Sequence, residues 1–227
     1  DEVGALTMTD ASHFGGLVAG GAMSNPFDFG FDVVTTTTHK SLRGPRGGMV
    51  LCTKALASKI DKSVFPGLQG GPHMNAVAAI AVTLLKAQSE EFKAYSQQVL
   101  VNAKTLAQSL MDKQATLITG GTDNHMMVVE TTSSFGLDGR QAEEVLDKVY
   151  ITTNKQIIPD DPNPPLRPSG IRIGTPAATT RGMVESDMQQ LGQWIVTCLQ
   201  NPEDEALLEE TRESVKAFCE RFPVPGI

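Results

Sequence analysis

Thr35-Thr36-Thr37-Thr38-His39-Lys40-Ser41-Leu42-Arg43-Gly44-Pro45-Arg46-Gly47-Gly48 is the stretch that decides how the rest of the chain is read. Its threonines continue a β-branched run that starts at Val33, and such a run bounded by turn residues reads as a short strand, here over residues 33–38. Lys40 then stands at a strand end, between small hydroxyl side chains and a glycine-rich turn, where a bulky ligand can approach the backbone. A lysine forms an imine with an aldehyde only when deprotonated, a state favoured by burial or by neighbouring cations. His39, Arg43 and Arg46 supply such neighbours. Taken alone, a lysine in this position also reads as a solvated loop residue beside a phosphate-friendly turn. A Walker-type phosphate loop is set aside, because its glycines precede the lysine and here they follow it.

Two similar runs flank this one. Residues 6–9 end at Asp10, and residues 49–52 follow the Gly47-Gly48 pair. In an open α/β sheet the residues just past the carboxyl ends of strands line the ligand crevice, and Asp10 and Lys40 both fall there. A long helix is expected from near Pro72. Its opening, residues 76–85, is apolar all round and so expected to be buried. Its continuation narrows to one stripe, Phe92, Tyr95, Val99, Ala103, Leu106 and Leu110, as if the helix left one domain's core to cross into another. Further on, residues 126–129 and 151–154 read as strands, and Asp138 with Gln141 resembles a capping box opening a helix through Ala142, Val145, Leu146 and Val149. A proline-rich loop, residues 159–168, leads into Ile171-Arg172-Ile173. Two amphipathic helices separated by Pro202 close the chain.

The 227 residues, 40% of them hydrophobic and 20% charged, are enough to bury a core and fit a soluble globular protein of one or two domains. A formal net charge of −7 argues against a broad basic surface for nucleic acid or an anionic membrane, while leaving room for a local site for one anion. Cys52, Cys198 and Cys219 are odd in number and lack CxxC spacing, which speaks against a disulfide framework or a zinc site and for a reducing compartment. No apolar run approaches the ~20 residues of a membrane-spanning helix, and no signal-peptide pattern opens the sequence. The chain starts Asp1-Glu2-Val3-Gly4 and enters a strand by Leu6, so the native N-terminal part is expected to be missing.

Taken whole, the string over residues 35–48 closely resembles the cofactor-lysine motif of the serine hydroxymethyltransferase family. Two further strings agree: Val64-Phe65-Pro66-Gly67-Leu68-Gln69-Gly70-Gly71-Pro72-His73, and Ser169-Gly170-Ile171-Arg172-Ile173-Gly174-Thr175-Pro176-Ala177-Ala178-Thr179-Thr180-Arg181-Gly182. All three stand in the family's order and at about its spacing, and the resemblance covers essentially the whole chain as the family's C-terminal portion. It implies an α/β fold of type I among pyridoxal-phosphate-dependent transferases, the aspartate aminotransferase-like architecture. Residues 1–88 would be the later part of the large cofactor domain and 89–227 the small C-terminal domain.

The resemblance also implies roles. Lys40 matches the lysine that bonds pyridoxal 5'-phosphate, His39 the histidine lining the substrate side, and Asp10 the aspartate that pairs with the pyridine nitrogen. His13 matches the histidine near the cofactor's phenolic oxygen. Without the resemblance, Asp10 and His13 read as a strand-end cap or half of a metal pair. Arg172 matches the arginine that holds the substrate carboxylate, a task suited to a planar bidentate donor. Gly70 and Gly71 match a loop that reaches the phosphate of the neighbouring subunit's cofactor; by themselves they read as a turn before a helix. Pro164, Pro165 and Leu166 stand on the substrate side where the family usually has serine, proline and phenylalanine, and Gln156 stands where it has asparagine. Both departures bear on folate. No metal site is implied. The expected whole is a cytoplasmic homodimer or higher oligomer, with sites shared between subunits, that converts serine and tetrahydrofolate to glycine and methylene-tetrahydrofolate. The rivals are a folate-independent aldolase of the same fold and a non-catalytic remnant or binding subunit. The phosphate cradle and the ring-stacking histidine are expected on sequence outside these 227 residues, as are the tyrosine and glutamate of the chemistry, so the chain alone is expected to be inactive.

Overall fold

Three short strands make the first sheet, in the order β1 (Met8–Asp10), β2 (Val33–Thr37), β3 (Gly48–Cys52). The computed structural model describes residues 3–226. Strands β1 and β2 are parallel, with Asp10 opposite Thr35, while β2 and β3 are antiparallel, from Val33 opposite Cys52 to Thr37 opposite Gly48. Parallel neighbours need a crossover. Here it carries the short helix α1 (Gly15–Ala19) and a 3-10 turn, Pro26–Phe29, which Asn25 caps by accepting from the Phe27 amide at 3.1 Å. Leu17 and Val34 are buried. Helices α2 (Ala57–Lys62) and α3 (Met74–Ala87) follow.

The chain divides into two compact units, Asp1–Gln97 and Gln98–Ile227. Helix α4 (Glu90–Met111) runs across the division. Residues 72–110 are thus not one helix: α3 ends at Ala87, and Ser89 starts α4 by donating its hydroxyl to the Lys86 carbonyl at 2.7 Å while accepting from the Phe92 amide at 3.2 Å. Burial of α3 also departs from its composition. Val82 is 53% and Leu85 70% exposed, and Ala87 is its one buried residue. An all-apolar helix is buried only where something covers it, and within the first unit a three-stranded sheet offers little. On α4 the expected stripe is buried at Phe92, Val99, Ala103, Leu106 and Leu110, with Tyr95 half-buried.

The second unit has its own antiparallel sheet in the order β4 (Thr116–Leu117), β5 (Met126–Glu130), β7 (Gly170–Gly174), β6 (Asn154–Gln156). Arg172 faces Val128 across one ladder and Asn154 across the other. The strand expected at residues 151–154 lies slightly later, because the Ile151 amide still bonds the Leu146 carbonyl at 3.0 Å and so closes the preceding helix. That helix is α6 (Gly139–Lys148), after the short α5 (Thr131–Phe135). Its capping box is formed: Gln141 donates its amide to Asp138 Oδ1 at 2.9 Å, and Asp138 donates its own to Gln141 Oε1 at 3.0 Å. Helices α7 (Pro176–Thr180), α8 (Glu185–Gln200) and α9 (Glu205–Glu220) complete the unit. Val129, Leu146, Ile171, Met188, Ile195 and Leu199 form its core, each 2% exposed or less. Each such side chain contributes roughly 1.5–3 kcal/mol on leaving water, so this unit carries its own stability. Among the described residues no helix is long and apolar enough to cross a membrane.

Candidate active site

The carboxyl ends of the parallel strands β1 and β2 lead into two turns that are stitched together. The Ala11 amide donates to the Thr35 carbonyl at 2.7 Å, Thr37 Oγ1 to the Ser12 carbonyl at 3.1 Å, and Ser41 Oγ to the His13 carbonyl at 2.7 Å. Ser41 Oγ also accepts from the Gly16 amide at 3.0 Å. Gly16 has no room for a side chain, since a Cβ there would collide with the Ser41 carbonyl. The turn after β2 is braced internally as well: Thr38, fully buried, donates its amide to the Gly47 carbonyl at 3.0 Å and its hydroxyl to the Pro45 carbonyl at 2.6 Å. Arg43 is held at φ 65°, an uncommon conformation for a side-chain-bearing residue, with its guanidinium 4.4 Å over the Tyr95 ring.

This bracing places Asp10, His13, His39 and Lys40 at the carboxyl ends of the parallel strands β1 and β2. Hydrogen bonding by Ser12, first its side chain and then its amide (2.8 Å to Asp10 Oδ1), holds the Asp10 carboxyl below its usual range against a smaller opposing effect of burial. The charges of Lys40 and His13 act in the same direction, which puts both within electrostatic reach of the carboxylate. Asp10 is therefore ionised at neutral pH. Lys40 is exposed, while His39 is half-buried and its Nδ1 is fully buried without a hydrogen-bond partner among the described residues. A buried ring nitrogen left unpaired is costly.

Arg172 belongs to the second unit. It is half-buried on β7 between Ile171 and Ile173, and among the described residues no carboxylate pairs with its guanidinium. Pro164, Pro165 and Leu166 form the exposed tip of the loop between β6 and β7, Leu166 at 78% exposure. Gln156 ends β6, with its amide turned to the Ile157 carbonyl at 3.1 Å. Gly70 and Gly71 lie in an exposed stretch before α3, and a Cβ at either would meet nothing within 4 Å. Two contributors are absent from the motif reading. Ser12 lowers the Asp10 carboxyl further, and its signal is the Asp-x-Ser spacing of a side-chain turn; Ser41 fastens the two turns and has no signal but its place after Lys40. Among the described residues no three His, Cys, Asp or Glu side chains are grouped as a metal site requires.

Comparison with known proteins matches this chain to a family. A family model described as serine hydroxymethyltransferase matches residues 1–195. This chain belongs to the serine hydroxymethyltransferase family. Its fold is accordingly the type I fold of pyridoxal-phosphate-dependent transferases, seen here as mixed α/β units. A serine hydroxymethyltransferase of Desulfotalea psychrophila (strain LSv54 / DSM 12343) is 49% identical over 227 residues, which is 100% of this chain and 53% of that relative. The chain thus spans about half the length of the curated relative it matches.

Proposed function

We propose that this chain carries the cofactor lysine and the carboxylate-binding arginine of a serine hydroxymethyltransferase, converting serine and tetrahydrofolate reversibly to glycine and 5,10-methylenetetrahydrofolate. The observation that carries the reading is the stitched pair of turns holding an exposed lysine and an ionised aspartate together at the carboxyl ends of two parallel strands. These groups fit pyridoxal phosphate: an amine for its aldehyde, an anion for its ring nitrogen, and imidazoles beside them. When bound, it supplies an electron sink for the electrons left as the hydroxymethyl group departs.

Lys40 would hold the cofactor through Nζ. Asp10 would keep a proton on the ring nitrogen, His13 would stand by the phenolic oxygen, and His39 would line the substrate side. Arg172 holds the substrate carboxylate; a half-buried guanidinium with no carboxylate paired to it among the described residues supports this role. The tip Pro164-Pro165-Leu166 and Gln156 lie on the folate side. Gly70 and Gly71 serve the phosphate in the neighbouring subunit of a cytoplasmic homodimer or higher assembly, a reading supported by the exposed apolar face of α3. In domain terms, residues 1–88 are the later part of the cofactor domain and 89–227 the small domain.

Arg172→Lys tests the substrate reading. In the full-length enzyme it should weaken glycine and serine binding by about 2–5 kcal/mol, because a point charge replaces a two-pronged donor and leaves the substrate carboxylate incompletely paired. Cofactor absorbance should be unchanged. Glycine binding equal to that of the unsubstituted enzyme would remove Arg172 from this role.

A further inference from the structure

The loop joining β6 to β7, residues 157–169, contains five prolines and no regular structure. One side chain organises it. Asp161 accepts four hydrogen bonds: Oδ2 from the Ile158 amide at 3.1 Å and the Ser169 amide at 3.0 Å, Oδ1 from the Asn163 amide at 2.9 Å and Ser169 Oγ at 2.6 Å. Asn163 Nδ2 adds a bond to Ser169 Oγ at 2.9 Å. The carboxylate therefore clasps the two ends of the loop together. Its far end is anchored in turn, since the Ser169 carbonyl accepts from the Thr131 amide at 2.8 Å and Ser169 is 1% exposed. Burial alone would raise the Asp161 carboxyl; the bonds from Ser169, Asn163 and Ile158 outweigh it and hold the group far below the usual carboxylate range.

The bonds differ in what they can displace. Strand β7 is paired along its length with β5 and also with β6, so Arg172 sits in a ladder held from both sides. The tip has no such support. It is fastened by the Asp161 clasp below and by one ion pair, Arg167 Nε to Asp138 Oδ2 at 2.7 Å, at its edge. The Arg167 amide closes the tip on the Pro164 carbonyl at 2.8 Å.

We infer that Asp161 is a positioning residue that sets the Pro164-Pro165-Leu166 tip against the folate co-substrate, while leaving the amino-acid carboxylate site on β7 in place. The inference rests on the folate-side reading of that tip. Asp161→Asn is the direct probe, because no orientation of the amide serves the clasp: one way its NH2 faces the Ile158 and Ser169 amides, the other way the Asn163 amide, and donors then oppose donors.

The test is steady-state kinetics of the full-length, cofactor-loaded enzyme with tetrahydrofolate, alongside equilibrium glycine binding. Asp161→Asn should raise KM for tetrahydrofolate on the order of tenfold, with kcat and glycine affinity nearly unchanged. Ser169→Ala, which keeps Asp161 and its three backbone bonds, should raise the same KM by less, and it answers the question if Asp161→Asn does not fold. A folded variant that loses thermal stability but keeps the folate KM would make Asp161 merely structural and overturn the inference. Equal losses in glycine and folate binding would overturn it too. Leu166→Ala is the separate control: if it leaves the folate KM untouched, the folate reading of the tip fails, whatever Asp161→Asn does.

Discussion

Lys40→Arg is expected to abolish borohydride-fixed attachment of pyridoxal phosphate and to lower turnover of the full-length enzyme by at least about a hundredfold. Arginine is the informative replacement. The Lys40 charge contributes to holding the Asp10 carboxyl ionised, and a guanidinium keeps that charge at the same turn. It cannot act as a nucleophile, because it stays protonated at any working pH. Loss of attachment then reports the missing amine and not a disturbed aspartate. In the unsubstituted enzyme, reduction and peptide mapping should put the label on the peptide containing Lys40. Lys54, just past β3, and Lys59, on α2, are also exposed lysines of the same unit. Label on either, or full turnover by Lys40→Arg, would show that the amine at the end of β2 is not the one that reacts.

That Lys40 and Asp10 share one end of the sheet was legible because two local rules agree there: β-branched runs end in turns, and strand ends collect ligand-binding groups. The capping box at Asp138 was legible for the same reason, being complete within four residues. What the sequence concealed depends on partners distant along the chain. Ser89 interrupts a periodic apolar pattern with a single hydroxyl that starts one helix while bonding the end of another, and periodicity alone passes over it. The burial of α3 was misjudged because composition states what a helix prefers to cover, not what is there to cover it. Asp161 looked like one polar residue in a proline-rich loop. Its importance lies in the Ser169 amide and hydroxyl eight residues later, a closure that no local signal encodes.

The 227-residue chain by itself is expected to bind pyridoxal phosphate weakly and to show little or no serine cleavage, with or without tetrahydrofolate. The argument is about charge. A phosphate monoester carries about −1.5 to −2 at neutral pH and needs several donors to hold it. The groups gathered at the turns of β1 and β2 address the aldehyde, the ring nitrogen and the substrate side, and the family resemblance assigns none of them to the phosphate. Gly70 and Gly71 are assigned to a neighbouring subunit's phosphate, and the remaining cradle to sequence outside these residues. The turns themselves should persist, since the bonds among Thr35, Thr37, Ser41 and the turn after β1 are made within the chain. The second unit should fold regardless on its own core. Weak binding then has a thermodynamic signature: a ligand present at a hundred times its Kd stabilises a protein by about 2.7 kcal/mol, and one far below its Kd by almost nothing. Thermal unfolding of the purified chain should therefore not shift at cofactor concentrations that stabilise the full-length enzyme. The absorbance of a lysine-bound cofactor should be slight on titration. Stoichiometric binding with normal serine turnover would instead mean that Lys40, Asp10, His13, His39 and Arg172 suffice without an external phosphate cradle.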